Sequence, residues 1–441
     1  MKTRTLDNAG TLDQEFGTNG IVSISIPGYP SSYITSVGIG PDKKTYFAGT
    51  GEGGVGPRSV YFLGRLNDDG KVDTTFGTAG LTIGLPPGAS LMSVHSSAFQ
   101  ADGSLVLFGN ATGMEYLNAP FLARYNADGK LDTRFGTDGH CLLIIDLSPP
   151  AQVTSTAAAP LGTDHDRWSS SASDNAAGAQ GVVILPDGKI LAFKHHSFNL
   201  RQGHGLIIRL TQDGALDTTF NQIGYIAVIH PDYLLHSTVL RNLMVQADGK
   251  YLGCGNVNGG THPPAMMFVR YDSTGLPDLS FGGESGFVTI YGAQQSAIER
   301  MLQQPNQRIL GIGNTYVPPV KGLMSSIEHD GSPNIQFNRG EVFYTELEPN
   351  AVTRWEGAAL QKNGRIVVAG GVGQPNGEVD IVVARFIDAR FDSDFNDGQG
   401  WVRTHLASGT HFATGLTLQE DGKIVVCART PAQGVILRYH A

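Results

Sequence analysis

One motif recurs seven times along the 441 residues: an Asp, two variable residues, a Phe and usually a Gly. It reads Leu12-Asp13-Gln14-Glu15-Phe16-Gly17, then Val72-Asp73-Thr74-Thr75-Phe76-Gly77, then Leu131-Asp132-Thr133-Arg134-Phe135-Gly136. Looser copies centre on Asp217/Phe220, Asp278/Phe281, Asn334/Phe337 and Asp392/Phe395. Successive Phe residues lie 60, 59, 85, 61, 56 and 58 positions apart, and 62 separate Phe395 from Phe16 through the chain ends. A period of this size means supersecondary units that bury their apolar faces against one another. It overrides the two or three domains that length alone suggests and predicts a single body over 1–441.

A second motif alternates with the first. Pro186-Asp187-Gly188-Lys189 has relatives at Asp102-Gly103, Asp248-Gly249, Asn363-Gly364 and Asp421-Gly422, and degenerate forms at Pro41-Asp42-Lys43-Lys44 and Pro305-Asn306-Gln307-Arg308. Asp-Gly or Asn-Gly between alternating apolar runs marks a hairpin, because Gly adopts positive φ without steric cost. The second unit then parses as strand A (Leu81 to Gly84), strand B (about Met92 to Phe99), strand C (Leu105 to Phe108) and strand D (Phe121 to Tyr125). Four antiparallel strands repeated radially predict an all-β chain, a seven-bladed β-propeller with its ring closed through the termini. The two motifs resemble the delta-60 repeat family over nearly the whole chain. That resemblance implies a propeller-type fold and brings no catalytic residue with it.

Composition narrows the partners. Only 16% of residues are charged and the net charge is −9, which argues against a nucleic-acid surface built on clustered Lys and Arg. No apolar run approaches membrane-spanning length, and the N-terminus lacks the apolar core of a signal peptide. A cytoplasmic protein is the default expectation. Cys141, Cys254 and Cys427 sit in apolar strand contexts and read as small buried side chains.

Strand D carries an Arg ahead of its turn (Arg65, Arg124, Arg209, Arg270, Arg385, Arg438), and the motif Asp follows. The fifth unit has Ser326 and Asn334 in these two places. Loss of both partners together predicts that they touch, since a lone buried charge is costlier than none. By the same logic Arg438 should meet Asp13. The alternative, a calcium loop at Asn67 to Asp73, lacks the spacing and the terminal bidentate Glu of such loops.

The A–B and C–D loops vary while the turns at the other end repeat, so binding residues are expected on the variable face. The longest departure is an insertion over about 148–177, which holds His165 and Trp168. It reads either as a ligand-contacting loop, near the axis if strand A is innermost, or as an insertion without a role. Eight residues before each B–C turn Gly, or its replacement, lies a polar residue: Thr35, His95, Gln180, Arg241, Glu299, Glu356 and Thr414. Counted by twos they fall on the buried face of strand B, as a polar ring at the channel mouth. They either bond neighbouring units or line a pocket, with Glu299 and Glu356 as a conceivable carboxylate pair. Histidines concentrate in loops of the third and fourth units (His165, His195, His196, His204, His230, His236, His262), without a metal-ligand spacing. No cofactor is implied. Trp168, Trp355, Tyr29, Tyr33 and Tyr233 would either stack on sugars or pack the loops.

The expectation is a binding scaffold for a glycan or another protein, held by His95, Gln180, Arg241, Glu299, Glu356, His165, Trp168 and Trp355. The rival is a hydrolase or lyase at the channel mouth, with or without a metal.

Overall fold

The computed structural model describes residues 8–116, 118–144, 180–197, 203–234, 237–258, 264–374 and 377–441. The insertion, with His165 and Trp168, lies outside them, as do His236 and His262.

The described chain is all-β apart from two 3-10 turns, and its sheets are built from antiparallel four-stranded units. In the first unit Ser31–Ile39 pairs with Thr45–Glu52, that strand with Ser59–Leu66, and that one with Leu81–Gly84. The order within a unit is therefore B, C, D and then the strand A that follows in sequence. Strand A is the outer strand, which corrects the conditional placement of A nearest the axis. Strand B is the inner one: Ser31–Ile39 contacts Ala89–Phe99, which contacts Gln180–Ile184, and so on to Phe412–Leu418, which contacts Ser31–Ile39 again.

The expected seven separate sheets are not what the hydrogen bonds draw. The described strands form six sheets, because the third and fourth units merge into one of eight strands through a parallel bridge between His204 and Thr238. Gly205 permits this approach. A Cβ there would sit 2.5 Å from the Leu240 Cβ.

Seven apolar cores fill the spaces between successive units. One of them joins Ile34, Phe47 and Phe62 of the first unit to Val425, Cys427 and Ile436 of the last. In that last unit the outer strand is Ile21–Ile24, paired with Gly434–Tyr439. All three cysteines are buried free thiols.

The Arg–Asp pairing holds in every unit that keeps both residues, with Arg Nε to Asp Oδ2 distances of 2.6 to 3.0 Å. In the fifth unit the Asn334 amide donates to Ser326 Oγ at 3.0 Å. The guanidinium also lies 4.4 to 5.1 Å from the centre of the motif Phe ring. In five units it reaches a carbonyl in the D–A turn of the next unit. The Asp accepts from a third partner, the cation of the B–C turn: Lys44, Lys189, Lys250, Arg365 or Lys423. Asp73 is thus occupied by Arg65 and Lys44, which leaves the calcium reading without its central ligand.

Candidate functional site

Strand B is interrupted at the polar position. The pairing register between strands B and C slips at Ile34/Ser36, Val94/Ser96, Leu240/Asn242, Ile298/Arg300, Trp355/Gly357 and Ala413/Gly415. The residue left over in each case is Thr35, His95, Arg241, Glu299, Glu356 or Thr414. Gln180, the seventh, is the first described residue of its strand, opposite Lys194. Each such bulge adds one residue and re-aims its side chain. Counting by twos across it fails, so the six residues at bulges do not take the core-facing side of strand B. That side belongs to the residue before each bulge, as with the fully buried Ile34, Leu240, Ile298, Trp355 and Ala413.

Glycine on strand C makes the bulge fit. A Cβ at Gly49, Gly109, Gly255, Gly313 or Gly370 would lie 1.7 to 2.1 Å from a strand B carbonyl oxygen. The third unit carries Lys194 at the matching position, and its ammonium donates to the Asn118 carbonyl at 3.1 Å. Burial lowers the Lys194 pKa to about 8.

The seven residues divide into two kinds. Thr414 Oγ1 donates to the Ile34 carbonyl at 2.7 Å and Thr35 Oγ1 to the Val94 carbonyl at 2.9 Å, each tying a bulge to the next unit's main chain. On the other arc, contacts run between side chains. Asn110 links His95 and Gln180. Arg241 donates through Nε to Asn256 Oδ1 at 3.0 Å and through Nη1 to Glu299 Oε2 at 3.2 Å. Tyr316 donates to Glu299 Oε1, and the Arg241 guanidinium lies over the Tyr316 ring at 5.4 Å. Arg241 and Glu299 are only 5% and 4% exposed.

Glu356 lies beside this pair and its carboxylate makes no hydrogen bond among the described residues. Burial, reinforced by the Glu299 charge, pushes its pKa up to about 7 against the opposing pull of Arg300, Arg354 and Arg241. Burial and the Arg241 charge lower the nearby His195 to about 4. The arc therefore offers a fixed ion pair, a neutral imidazole and a carboxyl poised between its two protonation states. Such a carboxyl can donate or accept a hydrogen bond near neutral pH.

Several expected contributors are placed elsewhere. Trp355 is 0% exposed, and its indole N–H donates to Thr345 Oγ1 at 2.8 Å, so it packs a core and presents no stacking face. Tyr233 is buried as well. His195, His196 and His204 stand on paired strands rather than in loops. His230 caps a 3-10 turn and bonds Thr289. Among the described residues no three His, Cys, Asp or Glu side chains converge as metal ligands. The arc includes residues that the sequence reading did not single out: Tyr316, Asn110, Asn256 and the flanking Arg300 and Arg354. A faint signal existed, since Asn110, Asn256 and Asn314 each follow a strand C glycine.

A family model described as "Domain of unknown function (DUF5122) beta-propeller" matches residues 100–135 and 197–220. The repeat is thus of a β-propeller type. No curated protein matches the chain. Among solved structures, Drosophila semaphorin 2a superposes with a TM-score of 0.50 at 7% identity, over 99% of this chain and 77% of that one. The β-propeller domain of the trilobed protease from Pyrococcus furiosus gives 0.43 at 8% identity, over 93% and 95%. The extracellular domain of a hybrid two-component system from B. thetaiotaomicron gives 0.46 at 10% identity over 96% of this chain, which spans 40% of that longer one. These likenesses concern the fold alone. No helix among the described residues is long and apolar enough to cross a membrane.

Proposed function

We propose that the seven units, read as delta-60 repeats, form a closed seven-bladed propeller that serves as a binding scaffold. Its ligand, a glycan or a protein segment, is held at the arc of Gln180, Arg241, Glu299 and Glu356. Closure is supported by the core shared between the first and last units and by the seating of Ile21–Ile24 in the last sheet. The binding reading rests on one observation, the half-buried Glu356 carboxylate without a hydrogen-bond partner among the described residues, beside an engaged Arg241–Glu299 pair. A half-buried carboxylate that no described residue engages is open to a ligand's hydrogen bond. Trp355 and Tyr233 are buried, so neither ring is offered to the ligand.

The second reading is a hydrolase or lyase. It is favoured by the unlike environments of the two carboxyls, one hydrogen-bonded to Arg241 and Tyr316, the other raised to about 7. Such a split separates acid from base in enzymes that use two carboxyls. A glycan array, a protein pull-down and a polysaccharide degradation assay, each run on wild type and Glu356→Gln, separate the cases. Binding weakened at least tenfold by the substitution, without turnover, supports the scaffold. Turnover abolished by it supports the enzyme. Binding that ignores the substitution removes the arc from either role.

A further inference from the structure

The fifth unit departs from the repeat at several points on one face. Its B–C turn is Pro305-Asn306-Gln307-Arg308, with Gln307 at φ +67° where most other turns place glycine. Its Arg–Asp clasp is replaced by Ser326 and Asn334, and Arg308 pairs with Glu328 instead. Beside this turn, against the fourth unit, lies a cleft of about 660 Å³ lined by Gln246, Asp248, Gln303, Gln304, Gln307 and His329 among others.

Gln246 stands three residues before its turn glycine, where Gln100, Gln361 and Gln419 stand in their own units. In two of these units the amide is engaged. Gln100 donates to the Gly188 carbonyl of the next unit's turn at 3.4 Å, and Gln419 accepts from Arg438 at 3.5 Å. Gln246 is 3% exposed and neither its amide nitrogen nor its oxygen has a partner among the described residues. For Gln100 and Gln361 the oxygen alone is a buried atom without a partner among the described residues, and for His329 Nδ1 alone. A buried amide left unsatisfied is costly, and Gln246 is the one glutamine of this set with both polar atoms buried and unpartnered among the described residues.

We infer that this cleft on the turn face binds a small, neutral, hydroxyl-rich molecule of disaccharide size. Its volume falls within the roughly 300–1,000 Å³ of small-ligand sites. A carboxamide offers two donors and an acceptor oxygen, which match a pair of neighbouring hydroxyls. The lining has no cluster of cations to hold a phosphate, and Asp248 is already paired with Lys250 at 3.6 Å. The cleft lies at the turn end of the B strands whose bulges carry the arc, with Gln246 following Arg241 and Gln303 following Glu299 along the chain, and shares none of its lining residues with the arc.

The test is isothermal titration of the full chain with maltose, cellobiose, lactose and trehalose, with triglycine and inorganic phosphate as controls. At least one disaccharide should bind with a Kd below about 10 mM. Gln246→Leu and Gln304→Leu should each weaken it at least tenfold, while Lys71→Ala, at an exposed turn in the first unit, should leave it unchanged. Should Gln246→Leu fail to fold by circular dichroism, Gln307→Gly, which restores the repeat's own turn residue, is expected to weaken binding in its place. The inference is overturned if no disaccharide binds in that range, or if the glutamine variants bind as wild type does. Gln246-dependent binding of triglycine or phosphate alone overturns the ligand class.

Discussion

Arg438 Nε donates to Asp13 Oδ2 at 2.8 Å, joining residues 425 positions apart. Lys423 reaches the same oxygen at 3.0 Å, and all three groups are held where the first and last units meet. Removing one member of a buried pair strands the other, at a cost of about 3–5 kcal/mol. Asp13→Ala is therefore expected to lower the urea midpoint and to speed amide exchange in Gly434–Tyr439 first. Exchange that accelerates evenly over all units would contradict a seam fastened at this point.

The fifth unit suggests a compensated variant. Arg209→Ser should be strongly destabilising alone, because Asp217 keeps only Lys189 as a charged partner. Adding Asp217→Asn rebuilds the Ser326–Asn334 arrangement. The double variant should recover about 1–3 kcal/mol relative to the sum of the single changes. Strict additivity in a double-mutant cycle would show that the two side chains do not act as a unit.

Acid should loosen the clasps in a defined window. The Asp132 carboxyl is held down to about 2, first by its hydrogen bond from Arg134 and then by Arg124, against burial. Burial would raise Asp73, Asp217 and Asp278, but turn-lysine, hydroxyl and arginine partners outweigh it and hold them well below the usual range. Folded values below the unfolded value of about 3.9 mean stability that is present above pH 4 and lost as pH falls through the folded values. Urea titrations from pH 6 to pH 2 should show the midpoint falling mainly below pH 4. A flat profile there would count against these ion pairs.

Glu356 has the opposite sign. Its folded pKa of about 7 lies above the unfolded value, so it favours the folded state at low pH and penalises it as pH rises through 7. Glu356→Gln should be more stable than wild type at pH 8.5, by on the order of 1 kcal/mol, and equal to it at pH 4. Thermal midpoints of both proteins at both pH values decide the matter. A variant less stable at pH 8.5 would mean that the carboxylate is satisfied in the fold.

The bulges can be tested through their glycines. A methyl at Gly255 would lie 1.9 Å from the Val239 carbonyl oxygen. Gly255→Ala should cost about 1–3 kcal/mol through overpacking and displace Arg241 from Glu299. Alanine at Gly249, in open space but at φ +83°, isolates the backbone effect from the collision. Equal chemical denaturation curves for wild type and Gly255→Ala would sink the steric account.

The repeat, its strands and the Arg–Asp clasp were legible because each is local or recurs, so one unit explains another. Ser326 with Asn334 was informative because a conspicuous pair vanished together. Lys189 and its equivalents were equally visible as a third partner in the Asp-Gly-Lys turns, but turn propensity alone accounts for a Lys there. Strand order was not legible, since Leu81–Gly84 has the same alternation whether it ends one sheet or begins the next. The bulges escaped because periodicity assumes an unbroken ladder. Their trace was a glycine within an apolar strand, as at Gly109 or Gly313, a known mark of a bulge or of close backbone approach. Burial of Trp355 followed from its place beside such a bulge.

The placement of Ile21–Ile24 as the outer strand of the last sheet sets an order of events in the cell. A chain emerging from the ribosome makes this segment before any of the inner strands, yet its pairing partner, Gly434–Tyr439, follows all of them. Six units can acquire their inner strands during synthesis, while this early strand waits with an unpaired edge. Emergence of Gly434–Tyr439 is then the step that completes the last sheet, and crowded nascent chains risk lending that early strand to one another.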